Sequence, residues 1–118
     1  MKTSAKIIIY TQSDEKDLDI VAPLWRKLIL HHKERTREMF KEYFEKITFD
    51  ERRLQLINKS SKGVLHIDLA KDSNTGKLIG YCISTVDENK HGEFESIYIE
   101  PEYRRNGIGD YFMKKALE

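Results

Sequence analysis

A glycine-rich turn near the carboxyl end of the chain has the residue types of an anion site. The segment "EYRRNGIGDYF" (Glu102 to Phe112) follows an apolar alternation and precedes a helical pattern. A helix N-terminus presents backbone N–H groups without partners in the helix, and its dipole adds about half a positive charge. Gly107 and Gly109 leave room for an anion, and Arg104 and Arg105 add positive charge. The pattern therefore predicts a phosphate or pyrophosphate site.

The same turn has a second interpretation, a tight strand-to-helix connection that binds no ligand. Two other phosphate motifs are excluded. The Gly-Lys-Ser/Thr sequence that completes a nucleotide P-loop is missing, and so is the third glycine of the dinucleotide fingerprint. We call Arg104 to Gly109 the glycine turn, and the pattern alone leaves both interpretations open.

The elements that must position the glycine turn begin with a strand and helices. "KIIIYTQ" (Lys6 to Gln12) predicts a buried strand, and apolar residues from Leu18 to His32 recur at helical steps. Pro23 falls within that helix, which therefore starts late or bends there. A second helical stripe carries Met39, Phe40, Tyr43, Phe44 and Ile47. The first four are expected to be core, with a pocket wall as the alternative.

A short helix and three strands follow. Thr48 has the spacing to cap a helix from Glu51 to about Asn58, which is predicted to turn Leu54 and Ile57 inward. The apolar runs "VLHIDLA", "KLIGYCISTV" and "EFESIYIEP" are separated by turn signals, and "KDSNTGK" is typical of an antiparallel hairpin. The final helix is predicted to face the sheet with Ile108, Tyr111, Phe112 and Leu117. This order predicts one α/β domain over residues 1–118, with a mixed, mostly antiparallel sheet and helices on both faces.

Composition limits the classes of partner. The 118 residues suffice for one domain, and 21 basic against 20 acidic side chains give a formal net charge of +1. Such a balance gives no reason to expect nucleic acid or an anionic membrane as partner. Cys82 is the only cysteine, which excludes a disulfide within the chain and fits a reducing compartment. The run "IIIY" is too short for a signal peptide, so we expect a cytoplasmic protein.

The segment "ESIYIEPEYRRNGIGDYFMKKAL" resembles the signature of the GNAT superfamily of N-acetyltransferases. In that family a strand ending in V/I-x-P leads to an Arg/Gln-x-x-Gly-x-Gly/Ala turn that opens a helix. The glycine turn matches this motif completely, with Pro101 and Tyr103 in the usual places. The resemblance implies an acyl-CoA N-acyltransferase-like fold. It also implies transfer of an acetyl group from acetyl-CoA, a co-substrate, to a primary amine of a small molecule or peptide, with no metal.

The resemblance also implies which residues contact acetyl-CoA. The pyrophosphate would lie on Arg104, Arg105, Asn106, Gly107, Ile108, Gly109 and Asp110, and the pantetheine arm on the backbone of Ile97, Tyr98 and Ile99. A backbone amide of Ile99 or Tyr98 would donate to the thioester oxygen. Family members carry a bulge in this strand, so a bulge is expected near Tyr98 to Glu100.

Two carboxylates are candidates for the general base. Acetyl transfer needs a neutral amine, and a carboxylate, often through water, can take the proton. Glu95 and Glu93 sit where some family members carry a catalytic glutamate, and their spacing puts both on one face of a strand. The alternative for each is a solvated charge at a sheet edge. Glu100 and Glu102 flank the turn and are expected to be surface charges.

The resemblance covers only the first half of the family fold, because members continue with a strand, a helix and two more strands. We therefore expect a truncated chain, or one completed by something else, with weak or absent catalysis by itself. The strand "EFESIYIE" would then be an unpaired edge, which favours a homodimer through that edge.

Two other functions compete with the enzyme. One is a non-catalytic module on the same fold that senses acyl-CoA or binds a protein partner. The other is a nucleic-acid-binding domain that uses Arg104, Arg105 and Lys114. It is disfavoured by the balanced charge and by the lack of a basic face with interleaved aromatic residues.

Overall fold

The computed structural model describes residues 7–116, so Lys6 and Leu117, which belong to predicted elements, lie outside the described residues. Within residues 7–116, one antiparallel sheet contains, in spatial order, β1 (Ile8–Ser13), β2 (Gly63–Asp72), β3 (Leu78–Asp87) and β4 (Gly92–Ile99). The helices α1 (Ala22–Arg35), α2 (Glu38–Lys46) and α3 (Phe49–Ser61) lie between β1 and β2 in the chain, and α4 (Ile108–Ala116) follows β4. The predicted α/β class and element order are confirmed.

The helices cover the two faces of the sheet unequally. On the face covered by α1 and α3, the larger core includes Leu18, Trp25, Phe49, Leu56, Leu65, Ile67, Tyr81 and Ile83. On the opposite face, α4 packs Ile108 and Phe112 against a smaller core that includes Cys82. Burial raises the pKa of the Cys82 thiol to about 12, so this cysteine is inert, as expected. None of the helices described in residues 7–116 is long and apolar enough to cross a membrane.

Local sequence sets where the first and third helices begin. A 3-10 segment (Glu15–Val21) precedes α1, and Pro23 falls in the first turn of α1, so the helix starts late. The Thr48 side chain accepts the Glu51 N–H at 3.2 Å and caps α3 as predicted.

The inward placement of Leu54 is wrong. Phe49 and Leu56 are buried seven residues apart and define the inward stripe of α3, whereas Leu54 is exposed. A position two residues from Leu56 points to the opposite side of a helix. Ile57, which is next to Leu56, packs partly against the core as predicted.

The core placement of the α2 stripe is also wrong. No residue of Glu38–Lys46 is buried, and Met39 and Tyr43 are 74% and 60% exposed. The helix packs mainly on α1, away from the sheet, and its contact with α1 leaves Phe44 only half-buried, against the His32 ring. Met39 and Tyr43 instead line an open groove beside the start of α3, which fits the pocket-wall alternative. Ile47, which follows the helix, packs partly against the larger core.

The outer strand β4 contains a bulge, but not at the predicted place. Its register with β3 shifts between Ile83 and Ser84, which leaves Glu95 as the extra residue. Pairing is continuous from Ser96 to Ile99, so the expected bulge near Tyr98 to Glu100 is wrong. Among the strands that the structure describes, none pairs with the outer edge of β4, as the sequence predicts.

Candidate functional site

The backbone of the glycine turn is shaped for the start of a helix. A single 3-10 turn (Pro101–Tyr103) leads into it, and Arg105 and Gly107 have φ angles of +68° and +78°. The Tyr111 N–H donates to Gly107 O at 3.0 Å, so Gly107 immediately precedes α4. The N–H groups of residues 108–110 therefore belong to the first turn, where no helical carbonyl reaches them.

The space in front of this helix start is open. A Cβ atom added at Gly107 would meet none of the described atoms within 4 Å. The positive φ of Gly107 is a conformation that glycine adopts without the cost that a side chain would add. Backbone N–H groups at a helix start suit an anion, and Gly107 adds no side chain that would block its approach.

The two arginines of the turn have different surroundings. Arg104 Nε donates to Ile99 O at 2.9 Å, and its guanidinium lies 5.5 Å from the centroid of the Tyr98 ring. Arg104 therefore folds back on the end of β4, where its hydrogen bond supports the strand. The Arg105 side chain is exposed beside the helix start.

Glu100, at the entry to the turn, is buried, and the expectation of a surface charge is wrong. Its carboxylate accepts two hydrogen bonds from Lys27 Nζ, at 2.9 and 3.0 Å. Because β4 ends against α1 at this point, the side chain is covered and needs a cation. Glu102 is exposed, as predicted.

The outer edge of β4 presents backbone groups next to the glycine turn. Glu100 N–H donates to Ile79 O at 2.8 Å, so the peptide groups of Glu100 and, two residues before it, of Tyr98 point at β3. The alternate residues Ile97 and Ile99 direct their backbone groups to the open edge. Of the two predicted oxyanion donors, Ile99 therefore faces the edge and Tyr98 faces β3.

A cluster of charged groups surrounds the bulge, and we call it the bulge cluster. It consists of Arg52 and Lys59 of α3, Thr85 of β3, and Glu93 and Glu95 of β4. Arg52 Nη2 donates to the Glu95 carbonyl oxygen at 2.8 Å. A bulged residue is unpaired in the ladder, so Arg52 supplies the partner that this carbonyl lacks.

The two candidate bases in this cluster are held to different degrees. The Glu95 side chain is 4% exposed and its Oε2 accepts from Lys59 Nζ at 2.8 Å and from Thr85 Oγ1 at 2.6 Å. The Glu93 side chain is 65% exposed, and its Oε2 accepts from Lys59 Nζ at 3.0 Å. Both carboxylates meet at Lys59, so they lie on one side of the strand as their spacing predicts.

The charges of the bulge cluster favour ionised Glu95. Burial alone would raise the pKa of Glu95, but hydrogen bonds from Lys59 and Thr85, with the charges of Lys59 and Arg52, lower it below the ordinary value. The hydrogen bonds to Glu95 and Glu93 raise the pKa of Lys59. Glu95 is therefore an engaged carboxylate and a weak proton acceptor.

Sequence reasoning missed Arg52 and Lys59. One signal was available for Arg52, which lies between Phe49 and Leu56 on the inward stripe of α3. A basic residue on an inward stripe needs a partner. Nothing in the sequence indicates that this partner is Glu95, because 43 residues separate the two.

A comparison with known protein families identifies the family of this chain. The profile of the acetyltransferase (GNAT) family matches residues 25–118, which include most of α1, the strands β2 to β4 and the whole glycine turn. The chain belongs to the GNAT acetyltransferase family. The resemblance found in the sequence is thereby confirmed. No curated protein matches the chain in sequence.

Solved structures share the fold at low sequence identity. A predicted acetyltransferase from Clostridium acetobutylicum, with acetyl-CoA, is 18% identical with a TM-score of 0.60, over 94% of this chain and 71% of that chain. The ribosomal-protein-alanine N-acetyltransferase from Brucella melitensis biovar Abortus 2308 is 16% identical, with a TM-score of 0.57 over 94% of this chain and 70% of that chain. Glucosamine-6-phosphate N-acetyltransferase from Arabidopsis thaliana is 14% identical, with a TM-score of 0.53 over 95% of this chain and 73% of that chain. These similarities confirm the acyl-CoA N-acyltransferase-like fold.

Proposed function

We propose that the protein is an acetyl-CoA-dependent N-acetyltransferase that binds the pyrophosphate of acetyl-CoA at the glycine turn. The observation that carries the proposal is the open first turn of α4, which follows two residues with positive φ in a GNAT family chain. The amides from Arg105 to Asp110 would bind the phosphate oxygens, with the Arg105 side chain adding charge.

The outer edge of β4 is the proposed place for the rest of the cofactor. The pantetheine arm carries amide groups that can pair with the backbone of Ile97 and Ile99 as an added strand would. The Ile99 N–H, which faces this edge, would donate to the thioester oxygen and stabilise the negative charge that develops there. The Arg104 hydrogen bond to Ile99 O holds this part of the strand in place.

Glu93 is the favoured base and Glu95 the second candidate. Glu93 is exposed, and the one cation that it contacts, Lys59, is shared with Glu95. The side chain of Glu95 is buried and its pKa is lowered, which makes it a weaker proton acceptor. Because of the bulge, Glu93 lies only three β3 residues from Ile97 and five from Ile99, which corresponds to about 10 Å and about 17 Å along the strand. One water molecule does not span that distance, so Glu93 would receive the proton through a chain of several water molecules that leads from the amine along the strand.

The proposed acceptor is a primary amine of a small molecule or a peptide. Two proteins of the same fold are named for ribosomal-protein alanine and for glucosamine-6-phosphate. This chain spans 71% and 70% of the first two solved structures compared above. A non-catalytic module that binds acyl-CoA is the second candidate function, favoured by the full engagement of Glu95 in the bulge cluster. Binding of acetyl-CoA without transfer to any amine would support this second function.

A titration with acetyl-CoA followed by NMR tests the proposal. We expect saturable shifts of the amides from Arg105 to Asp110, which Gly107→Glu abolishes. Gly92→Glu is the control for the added carboxylate, because Gly92 lies at the other end of β4 and a Cβ atom there would meet only Thr85 O, at 3.8 Å. Gly92 has no positive φ, so the backbone cost of Gly107→Glu is measured separately, by urea unfolding. Folded protein that shows no saturable shifts would contradict the proposal.

The proposal includes pairing of two copies through the outer edge of β4. The backbone groups of Ile97 and the N–H of Ile99 face this edge and favour addition of another strand, whereas Ile99 O already accepts from Arg104 Nε. Sedimentation analysis over a range of protein concentrations should show a dimer, which acetyl-CoA converts to monomer because both occupy the same edge. A monomer at every concentration, without acetyl-CoA, would overturn this part.

A further inference from the structure

A buried carboxylate at the β2–β3 turn holds the residue that precedes the glycine turn. Asp72, the last residue of β2, is 5% exposed, and its Oδ2 accepts from the Tyr103 hydroxyl at 2.5 Å. The two residues are 31 positions apart in the chain. The hydrogen bond to Asp72 raises the pKa of Tyr103 to about 12, so the phenol keeps its proton at any ordinary pH.

Asp72 is itself fixed by the hairpin. Its N–H donates to Lys77 O at 3.0 Å, and its O accepts from Gly76 N–H at 2.7 Å. Its Oδ1 accepts the Asn74 N–H at 2.8 Å. The carboxylate therefore has a set position relative to the sheet, and Tyr103 is tied to that position.

Tyr103 in turn organises the backbone of the glycine turn. Its N–H donates to Glu100 O at 2.9 Å, which closes the 3-10 turn. Its O accepts from Asn106 Nδ2 at 2.9 Å, a contact that spans Arg105 with its positive φ. Its ring packs against the smaller core that contains Ile108, the first residue of α4.

We propose that Asp72 is a positioning residue for acetyl-CoA, which acts through the Tyr103 hydroxyl to hold the glycine turn in its anion-binding conformation. This inference rests on the proposed function. Asp72 makes no contact with the ligand in this scheme. Its effect is to reduce the ordering that the turn must undergo when the pyrophosphate binds. The chain thereby couples the β2–β3 hairpin, which bears none of the family motif, to the strength of cofactor binding.

Because Asp72 is negatively charged, its effect on anion affinity through positioning can be distinguished from its effect through charge repulsion. Replacement of a carboxylate near a phosphate site by an amide would, by charge alone, strengthen anion binding. Loss of positioning weakens it. The Asp72→Asn variant therefore gives changes of opposite sign under the two explanations.

Two variants and two ligands test the proposal. Tyr103→Phe removes only the hydroxyl, and Asp72→Asn weakens the acceptor. Tyr10→Phe is the control, since Tyr10 is a partly buried tyrosine that packs against the same core. We expect both test variants to bind acetyl-CoA and inorganic pyrophosphate about fivefold more weakly, as loss of one hydrogen bond implies. S-acetylpantetheine, which lacks the pyrophosphate, should bind each variant as it binds the wild type.

The outcomes separate this inference from the proposed function. If the wild type binds neither acetyl-CoA nor pyrophosphate, the proposed function fails and this inference falls with it. If the wild type binds and both variants match it, only this inference fails. Equal weakening for S-acetylpantetheine and acetyl-CoA would show general loss of structure and would also overturn it. Thermal unfolding identifies a variant that does not fold, in which case the other variant decides.

Discussion

The two ends of β4 carry charged groups in opposite conditions. At its carboxyl end, the glycine turn contains the start of α4, the exposed Arg105 and open space beside Gly107. At its amino end, the carboxylates of Glu93 and Glu95 already meet cations from α3. In the first region the N–H groups of the helix start have no acceptor within the helix, whereas the second region supplies its own counter-charges. A cluster of charged residues is thus evidence of a ligand site only where the chain has not already paired them.

The largest expected effect is a loss of affinity for acetyl-CoA when the glycine turn is altered. Gly107→Glu should weaken acetyl-CoA binding more than 100-fold, since it places a carboxylate before the helix start and removes about 3 kcal/mol of binding free energy. The free energy of unfolding should fall by only about 1 kcal/mol, because the positive φ disfavours a side chain. Calorimetric titration and urea unfolding of the same samples measure both. An equal loss of affinity in Gly92→Glu, at the other end of β4, would remove the distinction.

The glycine turn could be predicted because its information is local. Six consecutive residues, Arg104 to Gly109, contain the glycines, the charges and the helix start. The bulge cluster depends on contacts over 36 and 43 residues, from Lys59 and Arg52 to Glu95, and no periodicity reports them. The same limit explains the misplaced bulge. The resemblance indicated that β4 carries a bulge, whereas the carbonyl of the bulged residue finds its partner, Arg52, on another element.

The burial of a helix's apolar side chains could be predicted only where that helix packs directly on the sheet. The stripe of α4 faces the sheet with Ile108 and Phe112 as its periodicity indicates. The stripe of α2 has equally good periodicity, but α2 packs on α1 and does not reach the sheet core. The prediction of a surface charge at Glu100 is wrong for a related reason. Its burial depends on contact with α1, whose Lys27 is 73 residues away in the chain.

Within the bulge cluster, the two carboxylates should differ in catalysis. Glu93→Gln should lower the rate of acetyl transfer about 100-fold, the scale of a lost general base, with little change in stability. Glu95→Gln should act mainly on stability. Thiol release from acetyl-CoA with amino sugars and peptides as acceptors measures the rate as a function of pH. A larger rate loss for Glu95→Gln, with normal stability, would exchange the two roles.

Removal of the cation that holds the bulge should affect stability more than binding. Arg52→Met leaves the Glu95 carbonyl and carboxylate without this partner and should reduce the free energy of unfolding by about 2 kcal/mol. The affinity of the glycine turn for inorganic pyrophosphate should stay within about twofold, since additivity holds for distant sites. Lys41→Met is the control, because the Lys41–Glu38 pair lies on the surface of α2 and such pairs contribute little. A loss of pyrophosphate affinity in Arg52→Met alone would show that the two ends of β4 are coupled.

The smallest effect concerns acid, and its sign follows from the lowered pKa of Glu95. A carboxylate whose pKa is lower in the folded state stabilises the fold above its unfolded pKa, about 4.3, and that stabilisation is lost as the pH falls through the folded pKa. Glu95→Gln should therefore be less stable than the wild type at neutral pH, and the difference should shrink below about pH 4.5. Urea unfolding of both proteins at neutral pH and in acid measures the difference, in which the other carboxylates cancel. A difference that stays constant would mean that Glu95 stabilises the bulge through its shape and neutral hydrogen bonds. In that case the amino end of β4 would be held by packing and neutral hydrogen bonds, and charge would matter only at the carboxyl end, in the glycine turn.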